Sequence, residues 1–108
     1  MRTTVALLAA AVASFGCAQG FSPAPTPEVI ASMPDTIPCS TPVVVDASSS
    51  RKAVDAEYRW LKAFYPKHSL QGQALLFDGD RILDVLTFRR ADGRPASVCF
   101  DVTKARRP

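Results

Sequence analysis

The stretch SLQGQALLFDGDRILDVLTFRRADGRPASVCFDVT, residues 69–103, decides the fold. It contains two Asp-Gly pairs, Asp78-Gly79 and Asp92-Gly93, each set between runs rich in leucine, valine and phenylalanine. Asp-Gly between apolar runs marks a tight hairpin, because a type I′ turn needs positive φ at both central residues. The stretch therefore predicts three antiparallel strands, a β-meander. A two-residue turn at 78–79 sets Leu75 opposite Ile82, Ala74 opposite Leu83 and Gly72 opposite Val85. A second turn centred on 92–93 sets Thr87 opposite Val98, Val85 opposite Phe100 and Leu83 opposite Val102.

Side chains alternate along a strand, so this register sorts the meander into two faces. One carries Leu70, Gly72, Ala74, Leu76, Leu83, Val85, Thr87, Val98, Phe100 and Val102, with no charge, and reads as the core face. The other is mixed and holds Gln71, Gln73, Leu75, Phe77, Ile82, Asp84, Leu86, Phe88, Cys99, Asp101 and Thr103. A three-residue second turn would slip the last strand by one and carry Val98, Phe100 and Val102 to the mixed face. The cleaner segregation selects the first register, in which Asp84 lies opposite Asp101 and Leu75, Ile82, Asp84, Leu86, Phe88 and Asp101 form a face open to a partner.

Upstream, Ser48-Ser49-Ser50 offers N-caps for a helix from about Arg51 to Tyr65 that stops at Pro66. At 100° per residue Ala53, Val54, Ala56, Tyr58, Trp60, Leu61, Phe64 and Tyr65 share one broad arc, with Lys52, Asp55, Arg59 and Lys62 opposite. The expected fold is α+β, with this amphipathic helix packed on the three-stranded meander. Pro42-Val43-Val44-Val45-Asp46 is β-favouring and predicts a short extra N-terminal strand. Glu57 breaks the helix pattern by projecting into the apolar arc. A carboxylate there needs a partner or a path to water, which makes Glu57 a candidate buried acid.

The N-terminus reads as an export signal over residues 1–20. Arg2 supplies the positive start, Val5 to Phe15 the apolar run, and Ala18-Gln19-Gly20 the small-x-small cleavage site. Ser14-Phe15-Gly16-Cys17 offers an alternative, a lipoprotein acylated at Cys17 and anchored to the membrane, although the usual leucine three places before the cysteine is missing. Either outcome leaves Cys39 and Cys99 as a pair, and in a periplasmic or extracellular setting the pair reads as a disulfide. Residues 21–42 hold six of the nine prolines and read as an extended, partly disordered tether. The domain proper is expected over 43–104, with a basic tail at 105–108.

From Ala53 to Thr103 the chain resembles the PepSY domain. The resemblance rests on a helix with spaced alanines ended by Pro66, then Asp78-Gly79-Asp80-Arg81, the alternating Leu83-Asp84-Val85-Leu86-Thr87, Asp92-Gly93, and Val98-Cys99-Phe100-Asp101. Two features depart from the family: Val102-Thr103-Lys104 stands where Thr-Gly often follows the aspartate, and Cys99 is not a family residue. The resemblance implies a secreted or envelope protein that inhibits or modulates proteases. It carries over no catalytic residue.

No catalytic motif, metal cluster or nucleotide loop stands out in the sequence. Asp78-Gly79-Asp80 fails as a calcium loop because Ile82, Leu83 and Arg89 stand where an EF-hand needs an oxygen ligand, a glycine and a glutamate. His68 is the single histidine and sits in the loop just past Pro66, so a metal site built on two or more histidines is excluded and His68 reads as a solvated polar residue. The net charge of +3 is spread without a long basic run, which gives nucleic-acid binding no support. The expected function is therefore an exported, non-enzymatic binding or modulatory module of the cell envelope, without cofactor, acting on a protein partner such as a protease. The alternatives are a structural or assembly protein that associates through the mixed sheet face, and a small hydrolase.

Overall fold

The computed structural model describes residues 24–106. The signal segment, Cys17 and the end of the basic tail lie outside the described residues. The chain is α+β, with one mixed five-stranded sheet and a few helices. In order come α1 (Pro27–Ala31), β1 (Thr36–Ile37), β2 (Val43–Val44), α2 (Ser50–Phe64), β3 (Ser69–Asp78), β4 (Arg81–Arg89), β5 (Pro95–Asp101) and α3 (Thr103–Arg106).

Both Asp-Gly signals make hairpins, but each turn sits differently from the expectation. In the first, Asp78 pairs with Arg81, so Gly79 and Asp80 are the central residues. Gly79 has a φ of 62° and Asp80 has no positive φ, the pattern of a II′ turn rather than I′. This moves the partners of Gly72 to Phe77 by two, giving Leu75 opposite Asp84 and Leu76 opposite Leu83 with their faces unchanged, while the irregularity between Leu70 and Gly72 sets Leu70 opposite Phe88 instead of on the charge-free face. In the second, the Arg90 amide donates to the Arg94 carbonyl at 2.8 Å around the loop Ala91-Asp92-Gly93, with Gly93 at a φ of 92°. A three-residue loop with glycine in the left-handed position is the next commonest hairpin.

That one residue corrects the predicted core face. Leu86 pairs with Val98, Thr87 with Ser97 and Asp84 with Phe100, so the apolar residues of β5 join Leu86 and Phe88. The helix lies on this face, not on the charge-free one. Leu61, Leu86, Val98 and Phe100 are fully buried, and Trp60 meets Phe100 edge-on at 5.5 Å while Tyr65 meets Phe88 at 4.9 Å. Burying each such large side chain contributes about 1.5–3 kcal/mol. α2 starts where Ser49 accepts the Lys52 amide at 3.2 Å and stops at Tyr65, before Pro66.

The expected extra strand exists as β2, and β1 joins it. Both run parallel to β5 along one edge, with Ile37 beside Val98 and Val43 beside Phe100. Between them Cys39 bonds to Cys99, with Cα atoms 5.1 Å apart. Cys99 lies between Val98 and Phe100 in β5, so it and the disulfide face away from α2. The segment expected as an extended tether is folded from residue 24 onward. Thr26 caps α1 and Pro27 opens it. The Tyr65 hydroxyl donates to the Pro34 carbonyl at 2.7 Å, and Arg90 donates to the Met33 carbonyl at 2.8 Å and to Asp35 at 2.9 Å.

Candidate functional site

Two features stand out from this frame, one sealed and one open. The sealed one is a pair of carboxyl groups between α2 and the sheet. Ala53, Glu57 and Leu61 recur every fourth residue and form the buried stripe of the helix. Asp84 shares a sheet face with Leu86 and Phe88, and the slipped register, by bringing Val98 and Phe100 to that face, makes it the one beneath the stripe. Glu57 and Asp84 are each 1% exposed. Gln73, on β3, donates from Nε2 to Oδ2 of Asp84 at 2.7 Å. Both oxygens of Glu57 and Oδ1 of Asp84 have no hydrogen-bond partner among the described residues.

Two bare carboxylates cannot share such a site, so the pair keeps a proton. Burial first, and then the neighbouring Asp84 carboxyl, push the Glu57 carboxyl up to about 9, while Arg106 on α3 pulls it the other way. Glu57 is thus an acid that keeps its proton in the core beside Asp84. The sequence singles out Glu57, and the structure places a second carboxyl beside it. The pair is closed to solvent, so it offers a substrate no approach. What it can do is hold a proton and couple the helix to the sheet.

The open feature is the far edge of the sheet. Among the described residues β3 is paired on one side only, to β4. Leu70, Leu75, Leu76 and Phe77 are 42%, 37%, 45% and 71% exposed. Neither α2 nor the hairpin covers this strand.

The six residues predicted as a partner face do not form one surface. Asp84, Leu86 and Phe88 are core residues under α2, and Ile82 is half-buried beside them. Asp101 lies on the opposite face, opposite Leu83 rather than Asp84, and accepts from the Thr103 amide at 2.9 Å and hydroxyl at 2.6 Å. Of the six, Leu75 stands on the open edge. Sequence reasoning assigns Leu70 and Leu76 to the core face, and puts Phe77 on the mixed face without counting it among the partner residues. The signal available for them was the uncharged run from Ser69 to Phe77 on the first strand of the meander.

Other polar groups are engaged locally. Asp78 pairs with Arg81 at 2.8 Å, which fits a turn and not a calcium loop. His68 takes part in a 2.9 Å hydrogen bond with the Tyr65 carbonyl and stands edge-on to Phe88. An open hollow of about 640 Å³ lies beside β2 and α3, lined by Val44, Val45, Asp46, Asp101, Thr103 and Lys104. Its two rim charges, Lys104 and Asp46, pair with each other at 2.5 Å. Among the described residues no group of three or more metal-ligating side chains comes together, and no helix is long and apolar enough to cross a membrane. Comparison with family models, with curated proteins and with solved structures found no match.

Proposed function

We propose that this chain is an exported, non-enzymatic module that binds polypeptide through the open edge of β3. The single observation that carries the reading is a ten-residue strand, paired on one side, with four large apolar residues exposed along it. An extended segment of a partner protein adds to such an edge through main-chain hydrogen bonds, and alternate side chains supply selectivity. The Cys39–Cys99 disulfide supports an oxidising compartment, periplasmic or extracellular. The lipid-anchored form through Cys17 is the alternative way of reaching it.

Edge recognition also suits the protease-modulating role that the PepSY resemblance implies, since proteases take substrates as extended strands. A structural or assembly role is the second reading. It is favoured by the exposed apolar residues on both faces of one strand. A hydrolase has less support, because the paired carboxyls are sealed beneath a helix.

The test is a titration of the oxidised, isotope-labelled protein with a short peptide alternating leucine and threonine. Amide shifts confined to β3, lost in Phe77→Asp, support the reading. No shift along β3 removes it. Adding the protein to assays of secreted proteases tests the modulatory part, which fails if their rates are unchanged.

A further inference from the structure

We propose that the β3 edge is a two-fold dimer surface, on which two copies of this chain pair their β3 strands antiparallel about an axis near Gln73. The inference rests on reading β3 as a polypeptide-binding edge and names the occupant, a second copy. Three observations carry it.

The edge is unprotected. Strand ends of sheets that remain free usually carry lysine, proline or inward charges. From Ser69 to Phe77 there is no charge and no proline, and one irregularity between Leu70 and Gly72 is all that interrupts the pairing of β3 with β4. Three of the exposed apolar residues, Leu75, Leu76 and Phe77, are also consecutive. Leu76 and Phe77 point to opposite faces of the strand, so a partner lying on one face of the sheet would cover only one of them. A strand added alongside flanks both.

The charges at the two ends are complementary in one direction only. Lys67 precedes β3, and Arg89 pairs with Ser69 at that same end. Asp78 and Asp80 stand at the other end, and Asp78 is already paired with Arg81. Lys67 and Gly79 are equally far along the chain from Gln73. Antiparallel pairing therefore sets Lys67 of one copy beside Asp80 of the other, twice by symmetry. Parallel pairing would set like charges against each other. Exposed ion pairs are weak, so they fix direction and register while main-chain bonds and the apolar residues supply affinity. Closed two-fold dimers are the commonest homo-oligomers, and this one joins two sheets into one and ends both open edges.

The test is sedimentation of the oxidised protein from micromolar to near-millimolar concentration, with three variants. The expected result is a monomer–dimer equilibrium that Phe77→Lys abolishes. Lys67→Asp weakens it by about tenfold, since the lost pair occurs twice, and Lys67→Asp combined with Asp80→Lys restores it. A dimer indifferent to all three changes uses another surface and overturns the proposal. A monomer at every concentration also overturns it. Adding the synthetic peptide Ser69–Asp78 to that monomer separates the two ideas. If the peptide binds at β3, the dimer fails and the edge reading stands. If it does not bind, both fail.

Discussion

Glu57 is the residue on which the interior turns. A lone carboxylate in an apolar stripe would cost several kcal/mol, and the fold lowers that cost by keeping the proton on Glu57. The consequence for stability has a definite sign. The folded protein holds the Glu57 proton up to about 9, whereas the unfolded chain releases it near the ordinary value of 4.5. Stability is then full below about 4.5 and falls as pH rises toward 9, by about 1.4 kcal/mol per pH unit. Glu57→Gln keeps the shape and a donor but has no proton to lose. Urea unfolding of this variant should match the parent near pH 5, exceed its stability by a few kcal/mol near pH 8, and show a flatter slope between. An unchanged slope would mean that another group carries the dependence. Glu57→Ala should destabilise at any pH, by about 2–4 kcal/mol, because it opens a cavity and leaves Asp84 alone. Glu57 was visible in the sequence as a charge in the wrong arc. Asp84 was not visible as its partner, because angle along a helix says nothing about which sheet face the helix covers.

At the scale of elements, one residue in one loop governs that choice of face. Ala91-Asp92-Gly93 and a two-residue Asp-Gly turn look alike in sequence, yet they differ by a slip that exchanges every side chain of β5 between faces. Sorting by charge selected the wrong one, because a proton kept on Glu57 and the Gln73 amide on Asp84 let two acids lie in the core. The helix, the three long strands, the β2 strand and the Cys39–Cys99 pairing were legible, each having a local signal: periodicity, turn residues, β-branched runs, cysteine count. β1 and α1 were not, since both are short, the surrounding segment 21–42 holds six prolines, and their order comes from contacts far along the chain. Tyr65 and Arg90 hold Pro34, Met33 and Asp35 in place. The disulfide closes a loop with a separation of 60 residues. Reduction should lower stability by about 4 kcal/mol in the chain-entropy account. Unfolding with and without reductant measures this, and a difference under about 1 kcal/mol would show that the docked segment holds without the bond.

For the molecule as a whole, the sheet is finished on one side and unfinished on the other. β1 and β2 close the β5 edge, and the disulfide fastens their connection to it. The β3 edge is left bare, with leucines and Phe77 in the open. That asymmetry, more than any side-chain cluster, points to a protein that works by pairing with another chain. Site-resolved amide exchange along β3 tests this most directly, on the oxidised protein at dilute and concentrated conditions. Alternate amides of an edge strand point toward its neighbour and the rest toward solvent. The account predicts alternating slow and fast exchange from Ser69 to Asp78 when dilute, with the fast set becoming slow when a partner strand or a second copy is supplied. Uniformly slow exchange in dilute solution, with nothing added, would contradict it, because the edge would then already be covered within the chain.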